Sequence, residues 1–153
     1  VWESLAILEY LAERFPDANL WPKSRPARAM ARSMCNEMHA GYHALRSACP
    51  MNLRRPKRAV PLTDHVRAEV SRIEELWRAA RAQYGKGGKF LFGRFSNADA
   101  MFAPVVTRFD TYLVDVAPDT RAYMNAMMAT AAFRTWHAAA LEEPWTVAAD
   151  EVD

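Results

Sequence analysis

The first residues of the chain that could do chemistry are Glu3 and Ser4, which stand at the start of an apolar helical spacing. The free N–H groups and positive dipole end of a helix start favour a carboxylate, and Ser4 adds a hydroxyl donor. The Glu3 carboxylate can hold a neighbouring ammonium. The dipeptide therefore predicts a site for both charges of a zwitterionic ligand. Ser and Glu are also common at ordinary helix starts, which is the alternative interpretation.

A second group of candidate ligands, Cys35, His39 and His43, recurs at steps of four residues on one predicted helix. Thiolates and imidazoles are metal ligands, so the pattern raises the hypothesis of a metal site. Each step of four residues drifts by about 40° around the helix axis, so the three side chains splay apart. We therefore predict no metal.

The concentrated basic patch of the chain is the run from Arg54 to Arg58, with Arg46 upstream. Such runs are usually solvated loops. Alternatively, Arg46 and Arg54 rim a binding cleft and attract an anionic ligand. Nucleic acid is not an expected partner, because no aromatic stacking residues are interleaved and 20 basic against 18 acidic residues leave a net charge of only +2.

Ser96 and Asp99 have the spacing of a capping box, in which two residues satisfy the exposed N–H groups of a helix start. This structural role explains the pair fully, and we assign it no catalytic role.

Helices must position these residues. Apolar spacings of three and four predict helices over residues 3–14, 24–50, 63–84, 96–112, 118–128 and 131–141, with prolines and glycines between them. The predicted fold class is all-α, a bundle of five or six helices preceded by one separate helix. The predicted boundaries are a short first segment at 1–15, a proline-rich linker at 16–23 and a helical domain at 24–153.

Composition agrees with a soluble globular protein, because 51% of the residues are apolar and 25% are charged. No apolar run approaches the roughly 18 residues of a membrane span, and no signal segment is recognisable, so we expect a cytoplasmic protein without membrane contact. Cys35 and Cys49, about 21 Å apart on one predicted helix, should be free thiols. The chain opens on Val1 inside a motif, which we take as the sign of a longer protein.

Three stretches together resemble the glutathione S-transferase family. Residues 3–11 are similar to the segment that closes the family's thioredoxin-like domain, residues 37–42 to a stretch in the first helix of its C-terminal helical domain, and residues 96–99 to its capping box. The order and spacing of the three stretches cover nearly the whole chain. The resemblance identifies the chain as a bacterial-type C-terminal helical domain that carries the last helix of a truncated thioredoxin-like domain at residues 1–15.

The resemblance implies a function for the intact protein, which is transfer of glutathione's thiolate to a small electrophile, with a role in detoxification. It places the γ-glutamyl end of glutathione on Glu3 and Ser4 and directs His39 into the cleft, with a partly buried structural histidine as the alternative. It further implies a homodimer and no cofactor besides glutathione as co-substrate. The residue that activates the thiol belongs to the missing part, so the chain alone should be inactive. The alternatives are a non-catalytic binding or regulatory module of this fold, and an unrelated helical interaction domain.

Overall fold

The computed structural model describes residues 1–152, and within them the chain forms seven α-helices. Their bounds are α1 Ser4–Arg14, α2 Arg25–Ala40, α3 His43–Ala48, α4 Asp64–Tyr84, α5 Asn97–Thr111, α6 Pro118–Met128 and α7 Ala131–Leu141. Short 3-10 helices span Pro16–Ala18 and Ala148–Asp150. Strand pairing in the described residues is limited to two isolated bridges at 90–94. The predicted all-α class, with six helices after the first, is confirmed.

Several helix ends fall where proline, glycine or a capping hydroxyl predicts them. Pro118 occupies the first turn of α6, and the Thr130 side chain caps α7 by accepting the Phe133 N–H at 3.2 Å. Gly85 follows the last residue of α4, and a Cβ at this position would lie 2.5 Å from the Arg81 carbonyl oxygen. Local sequence therefore sets these boundaries.

The predicted continuous helix over residues 24–50 is wrong, because the chain breaks between α2 and α3. Gly41 is extended and Tyr42 is left-handed with φ 62°. A Cβ at Gly41 would lie 2.7 Å from the Glu37 carbonyl oxygen, so the chain passes this point only without a side chain. The predicted placement of both cysteines on one helix is therefore also wrong, since Cys35 lies in α2 and Cys49 follows α3.

The chain divides into two compact units. The first unit comprises residues 1–41 and 75–102, and its core includes Trp77, which meets Phe102 edge to face with ring centroids 5.5 Å apart. The second unit comprises residues 42–74 and those from Ala103 onward, and buries Ile73, Phe109 and Tyr123. The linker and domain boundaries drawn from the sequence stay a prediction.

No helix within residues 1–152 is long and apolar enough to cross a membrane.

Candidate functional site

The start of α1 has an unusual backbone at the predicted binding residues. Ser4 is the first helical residue, and Glu3 before it has φ 68° and ψ 123°. A positive φ is disfavoured for a residue with a side chain, at a cost of order 1–3 kcal/mol, and such conformations cluster at functional sites. Both side chains are exposed, and the Glu3 carbonyl accepts the Ile7 N–H at 2.9 Å. The helix start is therefore open to a ligand.

His39, near the end of α2, reaches both of these residues. Its Nδ1 lies 3.5 Å from the Ser4 hydroxyl, and its Nε2 lies 3.4 Å from the Glu3 carboxylate. The His39 side chain is 44% exposed, and the choice between a cleft residue and a partly buried structural histidine stays a prediction. A neutral imidazole with its proton on Nε2 can donate to Glu3 while Nδ1 accepts from Ser4. The structure thus brings His39 next to Ser4, which lies 35 positions earlier in sequence, and to the neighbouring Glu3.

An ion pair holds α1 against α2 and so sets this arrangement. The Arg32 guanidinium donates from Nε and Nη2 to the two carboxylate oxygens of Glu9 at 2.7 and 2.8 Å. The bond to Glu9 raises the pKa of Arg32 further. Arg32 also lies over the Trp21 ring, 5.6 Å from its centroid. A two-pronged pair of this kind fixes orientation as well as distance.

The capping residues lie at the start of α5, where Ser96 and Asp99 are both buried. One Asp99 oxygen accepts the Ser96 N–H and the Ser96 hydroxyl, each at 2.9 Å, and the other accepts the Leu91 N–H at 3.0 Å. The next residue, Asn97, donates from its side chain to the Leu8 carbonyl of α1 at 3.1 Å. The pair therefore organises the loop before α5, and Asn97 connects that loop to α1.

The two arginines predicted to rim a cleft lie in the second unit. Arg46 is half-buried on α3, whereas Arg54 is exposed and donates to the segment after α7. The partners of Arg54 are the carbonyls of Glu143, at 2.8 Å, and Trp145, and the Thr146 hydroxyl at 3.2 Å. Arg54 thus binds the segment after α7. A cleft role for either arginine stays a prediction.

Both cysteines are free and buried. Burial raises the pKa of Cys35 to about 12, with the Asp99 carboxylate adding to it, and raises that of Cys49 to about 11. Neither is a thiolate at neutral pH, and the thiolate is the reactive form. Residues 1–152 contain no group of three His, Cys, Asp or Glu side chains that could hold a metal ion.

Sequence reasoning missed a polar cluster in the second unit, formed by Arg55, Arg108 and Tyr112. Arg108 lies on α5 among buried residues and is itself only 9% exposed. The one sequence feature that could have indicated this cluster is a single arginine, Arg108, inside a helix predicted to be buried. The other two members come from separate segments, so no local pattern could join them.

Comparison with known proteins identifies the family. The sequence model of the family described as "Glutathione S-transferase, C-terminal domain" matches residues 63–146, more than half of the chain. The chain belongs to this family.

A curated relative is similar over most of the chain. Maleylacetoacetate isomerase of Rattus norvegicus is 26% identical over 140 residues, which are 90% of this chain and 62% of the relative. The chain thus spans less than two thirds of that protein.

A solved structure has a similar fold. It is a glutathione transferase homologue from Sulfitobacter with bound glutathione, similar with a TM-score of 0.58 at 22% identity, over 92% of this chain and 77% of that one.

Proposed function

We propose that the intact protein binds glutathione at the start of α1 and transfers its thiolate to a small electrophile. The observation that carries this proposal is the cluster of Glu3, Ser4 and His39 at an exposed helix start. Membership in the family and the glutathione bound to the Sulfitobacter homologue support the choice of ligand.

Each residue has a distinct part in binding the γ-glutamyl end. The N–H groups of the first turn of α1 and the Ser4 hydroxyl donate to the ligand's α-carboxylate, where the helix dipole also favours negative charge. The Glu3 carboxylate holds the α-ammonium. His39 positions both residues through its two ring nitrogens. Glu3 combines the unusual backbone before α1 with a side chain that lies 3.4 Å from the His39 Nε2.

The chemistry needs a group that stabilises the glutathione thiolate, and we assign this role to no residue of the chain. The buried thiols of Cys35 and Cys49 are unsuited to it, since burial raises both pKa values. The purified chain should therefore show no conjugation above the uncatalysed rate. Turnover with a standard electrophile would contradict this part of the proposal.

The remaining parts of the proposal are a cytoplasmic location and a homodimer in the intact protein. Two free cysteines in 153 residues agree with a reducing compartment. The co-substrate is a small electrophile, and no cofactor besides glutathione is required.

The test is calorimetric titration of the intact protein with glutathione and with an analogue that lacks the α-ammonium. Ser4→Ala removes one hydrogen bond to a charged group, worth about 1–3 kcal/mol, so glutathione should bind about 5- to 150-fold more weakly. Glu3→Gln keeps the shape and loses the charge. It should weaken the binding of glutathione much more than the binding of the analogue, because the analogue has no ammonium for Glu3 to hold.

His65→Ala is the matched control, because His65 is an exposed histidine of the second unit. It should bind glutathione like the wild type, whereas His39→Ala should bind it more weakly. Equal losses of both ligands in Glu3→Gln would remove Glu3 from the site. Binding that follows these expectations without any turnover of the intact protein would favour the non-catalytic module.

A further inference from the structure

A buried cation, Arg108, lies in the second unit. Arg108 donates from Nη1 to the Pro104 carbonyl one turn earlier at 3.1 Å. Its Nε is buried and has no hydrogen-bond partner within residues 1–152. A buried guanidinium with an unused donor is costly unless an anion accompanies it.

Two more side chains with unused donors belong to the same cluster. Tyr112, 1% exposed, has a buried hydroxyl without a partner in the described part of the chain. The Arg55 guanidinium lies over the Tyr112 ring at 5.1 Å from its centroid, and its Nη1 donates to the Val152 carbonyl. The Nε and Nη2 of Arg55 are buried and find no acceptor in residues 1–152.

The charges of this cluster are unbalanced in favour of the positive sign. Burial raises the pKa of Tyr112, while Arg55 and Arg108 both act to lower it. Burial lowers the pKa of Arg108, and Arg46 lowers it further. One carboxylate, that of Asp150, opposes them by raising the pKa of both Arg108 and Tyr112. Three guanidinium groups and one carboxylate thus shift the pKa values of Arg108 and Tyr112, and a second carboxylate, that of Glu151, lines a pocket with Arg55.

We propose that Arg55, Arg108 and Tyr112 form a binding site for a small carboxylate ligand. Their unused donors are the Nε and Nη2 edge of Arg55, the Nε of Arg108 and the Tyr112 hydroxyl, and a guanidinium edge matches the planar, two-oxygen shape of a carboxylate. Protein sites for phosphate commonly add the backbone N–H groups of a glycine-rich loop or helix start, whereas the donors here are all side chains. Arg55, though neither Arg108 nor Tyr112, lines an open pocket of about 500 Å³ together with Arg54 and Glu151, which gives a ligand room beside the Arg55 guanidinium.

The site shares no residue with the proposed glutathione site. The ligand of this site would be the acidic part of the second substrate, and that identification rests on the proposed function. The binding of a carboxylate does not rest on it. A titration without glutathione therefore tests the site separately.

The experiment is calorimetric titration of the 153-residue chain with succinate, with neutral succinamide of the same shape, and with inorganic phosphate. Succinate should bind saturably and at least about tenfold more tightly than either of the other two, since a hydrogen bond to a charged group is worth about 1.5–3 kcal/mol. Arg55→Gln should weaken succinate about 10- to 100-fold, and Tyr112→Phe about 3- to 30-fold. Asp150→Asn removes the opposing charge and should strengthen binding.

Arg67→Gln is the matched control, because Arg67 is an exposed arginine of the same unit that pairs only locally with Asp64 in the described contacts. It should leave succinate binding unchanged. Tyr112→Phe keeps the ring, so it serves even if a variant of Arg108 fails to fold. Equal binding of succinate and succinamide, tighter binding of phosphate, or wild-type affinity in both Arg55→Gln and Tyr112→Phe would overturn the proposal.

Discussion

At the scale of single residues, the buried carboxylate of Asp99 has a structural role in the first unit. It accepts three hydrogen bonds, from the Leu91 N–H, the Ser96 N–H and the Ser96 hydroxyl. Its oxygens thus fix the bridged loop before α5 as well as the start of the helix. A buried N–H that loses its acceptor costs about 1–3 kcal/mol, so one carboxylate here affects several groups at once.

Asp99→Ala should therefore lower the free energy of unfolding by about 2–4 kcal/mol, because it leaves the Leu91 and Ser96 N–H groups without acceptors. Asp99→Asn keeps one acceptor and should cost less. Ser24→Ala is the control, because Ser24 precedes α2 without a side-chain capping bond, and it should change stability by no more than about 0.5 kcal/mol. Urea unfolding measures all three. Equal stability of Asp99→Ala and Ser24→Ala would mean that the carboxylate does not organise the loop.

At the scale of elements, the six-residue helix α3 depends on a neighbouring helix. So short a segment is not helical on its own, because the first turn is costly to nucleate. The Glu69 carboxylate of α4 accepts the N–H groups of Ala44 at 3.3 Å and Leu45 at 2.7 Å. A side chain distant in sequence thus performs the capping that Tyr42, at the N-cap, does not provide.

Glu69→Ala should destabilise the chain by about 1–2 kcal/mol, the usual effect of removing a cap, and should speed hydrogen exchange of the Leu45 amide. The stability of Glu69→Gln and its exchange rate at the Leu45 amide should lie between those of the wild type and Glu69→Ala. Glu13→Ala, at an exposed position of α1, is the control and should leave both quantities unchanged. If the Leu45 amide exchanges at the wild-type rate in Glu69→Ala, the capping role of Glu69 is wrong.

The predicted and observed elements differ where contacts distant in sequence, and not local residues, set the structure. The bounds of α4, α6 and α7 follow from glycine, proline and capping residues next to them, so the sequence predicts them closely. The break at Gly41 and Tyr42 lies inside a regular apolar spacing, and one glycine does not by itself end a helix. The Glu3, Ser4 and His39 cluster is predictable only through the family resemblance. The cluster of Arg55, Arg108 and Tyr112 depends on tertiary packing and has no short sequence pattern.

At the scale of the whole molecule, α4 and α5 each run from one compact unit into the other. Unfolding of either unit therefore removes the packing of part of both helices. Each unit contains one buried free cysteine, Cys35 in the first and Cys49 in the second. The two thiols can report separately on the two units.

We expect both thiols to become reactive at the same denaturant concentration, because the shared helices couple the units. In the folded chain at pH 8, pKa values of about 12 and 11 leave at least about 100-fold less thiolate than the ordinary value of 9.0. Alkylation followed by mass spectrometry of each cysteine peptide measures both effects, with free glutathione as the control thiol. Well-separated midpoints for Cys35 and Cys49 would show that the units unfold independently.

The contacts of Asn97 have a consequence for how this chain tolerates insertions. Its side chain donates to the Leu8 carbonyl, and its backbone N–H donates to the Leu20 carbonyl at 2.8 Å. Asn97 therefore anchors the chain on both sides of the connector around Asp17 and Ala18, which is exposed. Since lengthening a closed loop costs only about 0.6 kcal/mol per doubling, extra residues here would bulge outward while α1 kept its place. Insertions around Asp17 and Ala18 are thus expected among related sequences, whereas replacement of Asn97 is not.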